Sequence, residues 1–220
     1  MSGIYYNNCI FKCFINHLLV LRFAMFDKFF SIFAIIIASP ILLIVSGMII
    51  FKDGFPVLFK QDRVGKNGKI FKIYKFRTMI KNAEELLKND SELYKEYVQN
   101  GYKIDALKDP RILPFGHFLR SSSLDELPQF FNVLKNEMSV VGPRPVVEKE
   151  VDDLYGSQKN IYLSLKPGVT GLWQVSGRSN IKDSERVELD IEYSKTKNLY
   201  LDIKIILKTI SEVLKRTGAY

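Results

Sequence analysis

Asp125 and Glu126 stand side by side within Ser123-Leu-Asp-Glu-Leu-Pro-Gln129, in a chain of 220 residues that carries 32 lysines and arginines against 24 acids. Adjacent carboxylates in a basic protein suit phosphate chemistry. One carboxylate can attack phosphorus and hold it as an acyl phosphate. Its neighbour can hold a divalent cation that neutralises phosphate oxygens. The same residues also read as a capping box, Ser123-x-x-Glu126, that opens a helix and tolerates Pro128 in the first turn. The two readings are compatible, because a helix N-terminus is itself a receptor for phosphate.

The elements that must position this pair begin with a membrane segment. Residues 29–51 read FFSIFAIIIASPILLIVSGMIIF without a charge, between Asp27-Lys28 and Lys52-Asp53. At ~1.5 Å per residue such a helix reaches ~35 Å, enough to cross a hydrocarbon core of ~30 Å. A signal peptide would be shorter and would be followed by a small-residue cleavage site. Ser39-Pro40 falls at the midpoint, where proline deletes a helix hydrogen bond. A break there allows a re-entrant hairpin whose halves reach roughly midway into the bilayer. Lys12, Arg22 and Lys28 precede the run and a basic region follows it. By the positive-inside rule both ends then belong in the cytoplasm. A kinked single span is the alternative that these residues leave open.

A hydrophobic content of 47% supports one sizeable core. The net charge of +8 fits anionic lipid or phosphorylated substrates better than nucleic acid, since basic and acidic residues alternate and no nucleic-acid motif is present. Cys9 and Cys13, with His17, lack the second ligand pair of a zinc site. Residues 56–59 and 70–74 read as two strands joined by a Gly65-Lys-Asn-Gly68 turn. Helices are expected over 83–98, from Ser123 to about Leu134, and over 199–214, the last suited equally to a membrane surface and to packing on the core. The fold expected is a helix-rich mixed α/β domain with an N-terminal re-entrant membrane hairpin and amphipathic interfacial helices. Its segments are an N-terminal extension (1–24), the membrane helix (25–52) and a cytoplasmic domain (53–220).

Six motifs in order carry a family resemblance. They are Gln61-x-Arg63-Val-Gly65-Lys-Asn-Gly68, Lys75-Phe-Arg-Thr-Met79, Asp109-Pro-Arg111, Ser123-Leu-Asp-Glu-Leu-Pro-Gln129, Val141-Gly-Pro-Arg-Pro145 and Lys166-Pro-Gly-Val-Thr-Gly-Leu-Trp-Gln-Val-Ser-Gly-Arg178. Together they resemble the bacterial sugar transferases, or monotopic phosphoglycosyl transferases, over about residues 25–215. The resemblance favours the hairpin, because family members carry a re-entrant helix with a central Ser-Pro, matched here by Ser39-Pro40.

The resemblance implies transfer of a sugar-1-phosphate from a UDP-sugar to a polyprenyl (undecaprenyl) phosphate, opening surface glycan assembly at the bacterial inner membrane. The catalytic domain would face the cytoplasm. Asp125 would be the nucleophile and UMP the leaving group. Lys75, Arg120, Arg144 and Arg178 would surround the phosphates, with Arg111 a lesser candidate. Glu126 and Asp190 would be supporting acids, and Asp125 with Glu126 would hold Mg2+. Trp173 reads as a stacking platform for uracil or sugar, or else as a core or interface anchor. Two departures stand out, Asn136-Glu-Met-Ser139 where the family has Gly-Asp-Met-Ser, and Lys197-Asn-Leu199 where it has Asn-Trp-Ser. The Trp-Gln-Val-Ser-Gly-Arg wording is nearest to members that transfer galactose phosphate. Residues 1–24 match no part of the family and are expected to be dispensable. A homodimer stays open. The competing reading, a membrane-bound scaffold or regulator with an inactive site, predicts a broken dyad or missing arginines, and neither is seen.

Overall fold

In a computed structural model, residues 2–100, 104–105, 108–177 and 181–215 are described, with side chains described from residue 22 onward. Ser2–Asp53 forms helix α1, which is continuous through Ser39-Pro40. Pro40 has no N–H to offer the Ile36 carbonyl, and the Ser39 hydroxyl donates to that same oxygen at 2.8 Å. The dipeptide thus supplies its own replacement donor, which a lipid-facing backbone requires. Asp27, Ser31, Ala38, Val45 and Ile49 are buried, and their spacings of 4, 7, 7 and 4 residues place them on one helix face. Phe29, Ile32, Phe33, Ile36, Leu43 and Ile44 are exposed around the rest. By length and composition α1 can cross a membrane.

Both ends of this apolar stretch hold to the same globular core. Near its start, Asp27 Oδ1 accepts from Ser139 Oγ at 3.0 Å and from the Val140 amide at 2.9 Å. Near its end, Val45 and Ile49 pack with Phe76 and Leu119. The terminal residue Asp53 pairs with Arg77. The Arg77 guanidinium also donates to the Pro56 and Gly54 carbonyls at 2.7 and 2.6 Å, closing off the helix end.

Strands β1 (Leu58–Val64) and β2 (Ile70–Phe76) form the expected antiparallel hairpin. Its turn places Asn67 and Gly68 at φ of 57° and 76°, a left-handed geometry open to those two residue types. The helix expected over 83–98 is two helices, α2 (Ala83–Asn89) and α3 (Ser91–Gln99). Asp90 divides them, its carboxylate accepting from the Glu92 and Leu93 amides. An N-cap inside a periodic apolar pattern thus overrides continuity.

Helix α4 (Gly116–Ser121) leads to a 3₁₀ turn, Leu124–Glu126, and then to α5 (Gln129–Leu134). The expected capping box does not form. Ser123 lies at φ 56° and makes no side-chain cap, so the helix expected from Ser123 opens as a tight turn and its α-helical part starts only at Gln129. Strand β3 (Ser139–Val141) follows, then the short helix α6 (Glu148–Glu150) and α7 (Lys159–Ser164). Strand β4 (Gly168–Thr170) pairs in parallel with β3. Gly142 and Gly168 sit back to back at this pairing, where a Cβ on either would strike the other's backbone. This close approach fixes the loop that carries Arg144. Helices α8 (Asp183–Thr196) and α9 (Leu199–Lys215) complete the fold. The largest core cluster joins Phe71 and Ile73 of β2, Val133 of α5, Val140 of β3, Tyr193 of α8 and Ile205 of α9.

Asn136 takes the place of the family's glycine at φ 67°. The turn keeps a left-handed residue, which asparagine tolerates better than most.

Candidate active site

The dyad sits on the 3₁₀ turn Leu124–Glu126, which packs against β2. Lys75, next to last in β2, donates from Nζ to Glu126 Oε1 at 2.6 Å. That contact depends on a side chain two turns away. Asn132 of α5 is fully buried, accepts from the Tyr74 amide at 2.9 Å and donates to the Lys72 carbonyl at 2.8 Å. It occupies the edge of β2 as a neighbouring strand would. Its amide nitrogen also donates to Glu137 Oε2 at 2.7 Å. A side-chain amide thereby locks α5, and the turn before it, to the strand that presents Lys75.

Arg120 approaches from α4, giving Nε to Thr78 Oγ1 at 2.9 Å. The loop behind it is pinned to the chain after β2, with the Leu113 amide donating to the Thr78 carbonyl at 2.9 Å. Arg111 serves this scaffold. It binds Asp109 through two bonds, Nε to Oδ1 at 2.8 Å and Nη2 to Oδ2 at 2.7 Å, and lies over the Tyr97 ring. Burial alone would push the Asp109 carboxyl up, but the Arg111 bonds outweigh it and hold the carboxyl below its usual range.

Asp125 has the reverse balance. Burial is the largest influence on it and the charge of Glu126 the second. Lys75 and Arg120 oppose them, and the carboxyl is raised from 3.8 to about 7. A carboxylate near neutrality, with two cations and a second acid around it, has the make-up of a nucleophile or acid–base group. Among the described residues no group of three or more His, Cys, Asp or Glu side chains could hold a metal alone. Two carboxylates and a diphosphate form the usual donor set for Mg2+, so Asp125 and Glu126 fit that ion when substrate is present.

Arg144 and Asp190 belong to a second polar cluster. Trp173 is its centre, 6% exposed, with the guanidiniums of Arg144 and Arg186 at 5.5 and 5.7 Å from its ring. Both arginines lie over a buried ring, which makes Trp173 a core anchor rather than a platform for a base. Asp190 accepts from Tyr155 Oη at 2.6 Å, and burial raises its carboxyl to about 6. The structure thus brings Lys75, Arg120, Asp125 and Glu126 together, with Arg111 behind them, while Arg178 lies outside the described residues. Asn132 and Arg77 escaped the sequence reading. Arg77 stood within the quoted Lys75–Met79 motif, and Asn132 carried no signal beyond being polar on a helix that otherwise reads as core.

The bacterial sugar transferase family matches residues 20–216. The chain belongs to this family. It is 47% identical to the undecaprenyl-phosphate galactose phosphotransferase of Salmonella typhimurium over 199 residues, 89% of this chain and 41% of that protein. It is 42% identical to the exopolysaccharide production protein ExoY of Sinorhizobium fredii, covering 89% of this chain and 86% of that one. The galactosyl transferase CpsE of Streptococcus agalactiae is 49% identical over 169 residues, 76% of this chain and 37% of its own length. The chain therefore spans about two fifths of the Salmonella and Streptococcus proteins and most of ExoY.

Proposed function

We propose that this chain is a phosphoglycosyl transferase that moves a sugar-1-phosphate from a UDP-sugar to polyprenyl (undecaprenyl) phosphate. The observation that carries the reading is Asp125, raised toward neutrality between Lys75 and Arg120 with Glu126 at its side. In the first step an Asp125 oxygen bonds to the phosphorus bearing the sugar, the diphosphate P–O bond breaks and UMP leaves. In the second, a polyprenyl phosphate oxygen bonds to that phosphorus and the carboxylate is released. Lys75 and Arg120 offset negative charge on the equatorial oxygens. Mg2+, held by Asp125 and Glu126 with the diphosphate, would add further neutralisation. The galactose phosphate named for the Salmonella relative makes UDP-galactose the first donor to assay.

The tethers on α1 support a reading of its membrane topology. Asp27 and Asp53 bracket the apolar run and both bind one globular core. A folded polar domain cannot lie on two sides of a bilayer, which supports both ends of the run lying on one side of the membrane, although α1 itself is continuous through Ser39-Pro40. Helix α9 adds a second membrane contact, since Leu199, Ile203, Leu207, Ile210 and Leu214 form one exposed apolar stripe. The test of the transferase reading is intact mass spectrometry after incubation with donor alone. A phosphosugar adduct that is absent from Asp125→Asn is expected. A fully active Asp125→Asn enzyme sinks the covalent route.

A further inference from the structure

The polar cluster around Trp173 holds donors that the chain itself does not satisfy. Among the described residues five buried side-chain polar atoms have no hydrogen-bond partner, and three of them are donors on two neighbouring side chains: Arg186 Nε, Arg186 Nη2 and Trp173 Nε1. Arg186 is 9% exposed and Trp173 is buried more deeply still. Buried polar groups are almost always paired, so three orphans in one place call for a ligand. Nε and Nη2 form one edge of the guanidinium, the same edge by which Arg111 grips both oxygens of Asp109. An entire guanidinium fork is therefore open in the interior.

The local acids do not fill that fork. Nη1, the remaining nitrogen of Arg186, is 3.4 Å from Asp183 Oδ1, a carboxylate that is 69% exposed. Asp190, one turn further along α8, accepts from Tyr155 Oη. The Trp173 ring, 5.7 Å from the guanidinium carbon, attracts its charge but gives these hydrogens no lone pair. Arg144 brings a second guanidinium to the same ring at 5.5 Å. It reaches solvent and, among the described residues, forms no ion pair. Water meets hydrogens without offsetting charge, and here two guanidiniums have one solvent-exposed carboxylate within ion-pair reach. An oxyanion answers both demands.

We propose that Arg186, Trp173 and Arg144 form a phosphate-binding site, with two phosphate oxygens on the Arg186 fork, a third on Trp173 Nε1, and Arg144 closing it on the solvent side. The number and kind of donors select phosphate over carboxylate. A tetrahedral dianion offers three oxygens to three N–H groups and two charges to two guanidiniums, whereas a carboxylate has two oxygens and one charge. The walls are fixed. Tyr162 Oη donates to the Arg144 carbonyl at 3.2 Å, and the close approach of Gly142 and Gly168 holds the same loop. The site stands on its unpaired donors rather than on the transferase reading, and it shares no residue with the Lys75, Arg120 and Asp125 cluster. Its phosphate is that of a nucleotide, of a lipid or of the free ion, which present the same group to these donors.

Trp173 is the only tryptophan of the chain, so its emission reports on this site alone. The full chain in detergent is titrated at constant ionic strength with inorganic phosphate, with UMP and with a short-chain polyprenyl phosphate. A saturable change in emission is expected, and Arg186→Met should weaken it roughly ten-fold or more, the value of lost charged hydrogen bonds. Asp183→Asn removes the exposed acid that competes for Arg186 and should tighten binding about three-fold. It decides the matter alone if Arg186→Met does not fold. A ten-fold advantage of UMP over inorganic phosphate assigns the site to a nucleotide, the same advantage for the polyprenyl phosphate assigns it to a lipid, and equal affinities assign it to the free ion. No saturable change with any of the three, equal affinity in parent and Arg186→Met, or unaltered affinity in Asp183→Asn overturns the proposal. No turnover is read, so such a failure leaves the transferase reading to its own mass-spectrometric test.

Discussion

Replacing Asp125 with asparagine should abolish turnover and yet make the protein more stable. The carboxyl rises from 3.8 to about 7 on folding because burial and Glu126 disfavour its charge more than Lys75 and Arg120 favour it. A folded-state pKa above the unfolded one means that folding is penalised wherever the unfolded chain has already lost the proton. The penalty is absent below about pH 4, grows between about 4 and 7 and is constant above. At ~1.4 kcal/mol per pH unit the ceiling is roughly 4 kcal/mol. The carboxyl is only half-buried and water reaches its partners, so ~1–2 kcal/mol is the expected gain of the neutral amide at pH 8. For a chain of this size that corresponds to a Tm increase of ~2–8 °C. Thermal unfolding of parent and Asp125→Asn at pH 4.5 and pH 8, in one detergent, measures it. A variant less stable than the parent at pH 8, or a difference unchanged between the two pH values, refutes the account of how this acid is tuned.

In the proposed covalent route the donor half-reaction needs ionised Asp125, so UMP release should fall as pH drops through about 7. Glu126→Gln should move that limb to lower pH and Lys75→Met to higher pH; movement in one direction for both would contradict the charge balance. Asn132→Ala should cost ~2–4 kcal/mol, because it strands the Tyr74 amide and Lys72 carbonyl at a buried edge, and a Tm unchanged within 2 °C would show that water replaces it. Single cysteines at positions 22 and 60, in a chain without Cys9 and Cys13, should both resist an impermeant label applied outside intact cells. Labelling at 22 alone means that α1 spans. Leu207→Glu with Leu214→Glu should shift protein from the membrane fraction at high salt, and undiminished retention would show that the α9 stripe faces something other than lipid.

What the sequence showed and what it hid have physical causes. The hairpin was legible because β-branched and aromatic residues bracket a Gly65–Gly68 turn with left-handed positions. Helix α9 was legible because its apolar residues keep one period over its whole length. The break at Asp90 was hidden, since an N-cap carboxylate interrupts a helix without disturbing the apolar spacing around it. The capping box at Ser123 was misleading for a related reason. Its pattern needs an extended N-cap backbone, whereas Ser123 is left-handed and Glu126 is engaged by Lys75, a partner 51 residues away. Long-range pairs of this kind leave no local trace, which is why Asn132 and Arg77 went unassigned while Asp125, Glu126, Lys75 and Arg120 were found through motifs.

Arg77 shows why a motif residue outside the dyad cluster stands two places from Lys75. Lys75 reaches Glu126 from one side of β2, and two residues on Arg77 holds the end of the membrane helix through Asp53 and the Gly54 carbonyl. The strand therefore couples the height of α1 in the bilayer to the position of the dyad. Asp27 makes a second tether at β3, one loop from Arg144. A polyprenyl phosphate presents its phosphate at a depth set by the lipid, so an enzyme acting on it must fix its nucleophile relative to the bilayer rather than only relative to its own core. On the proposed transferase reading, two polar tethers at the ends of one apolar helix serve that need, and they place the demand for rigidity on β2 and β3, the strands to which the dyad turn and the arginine loop are attached.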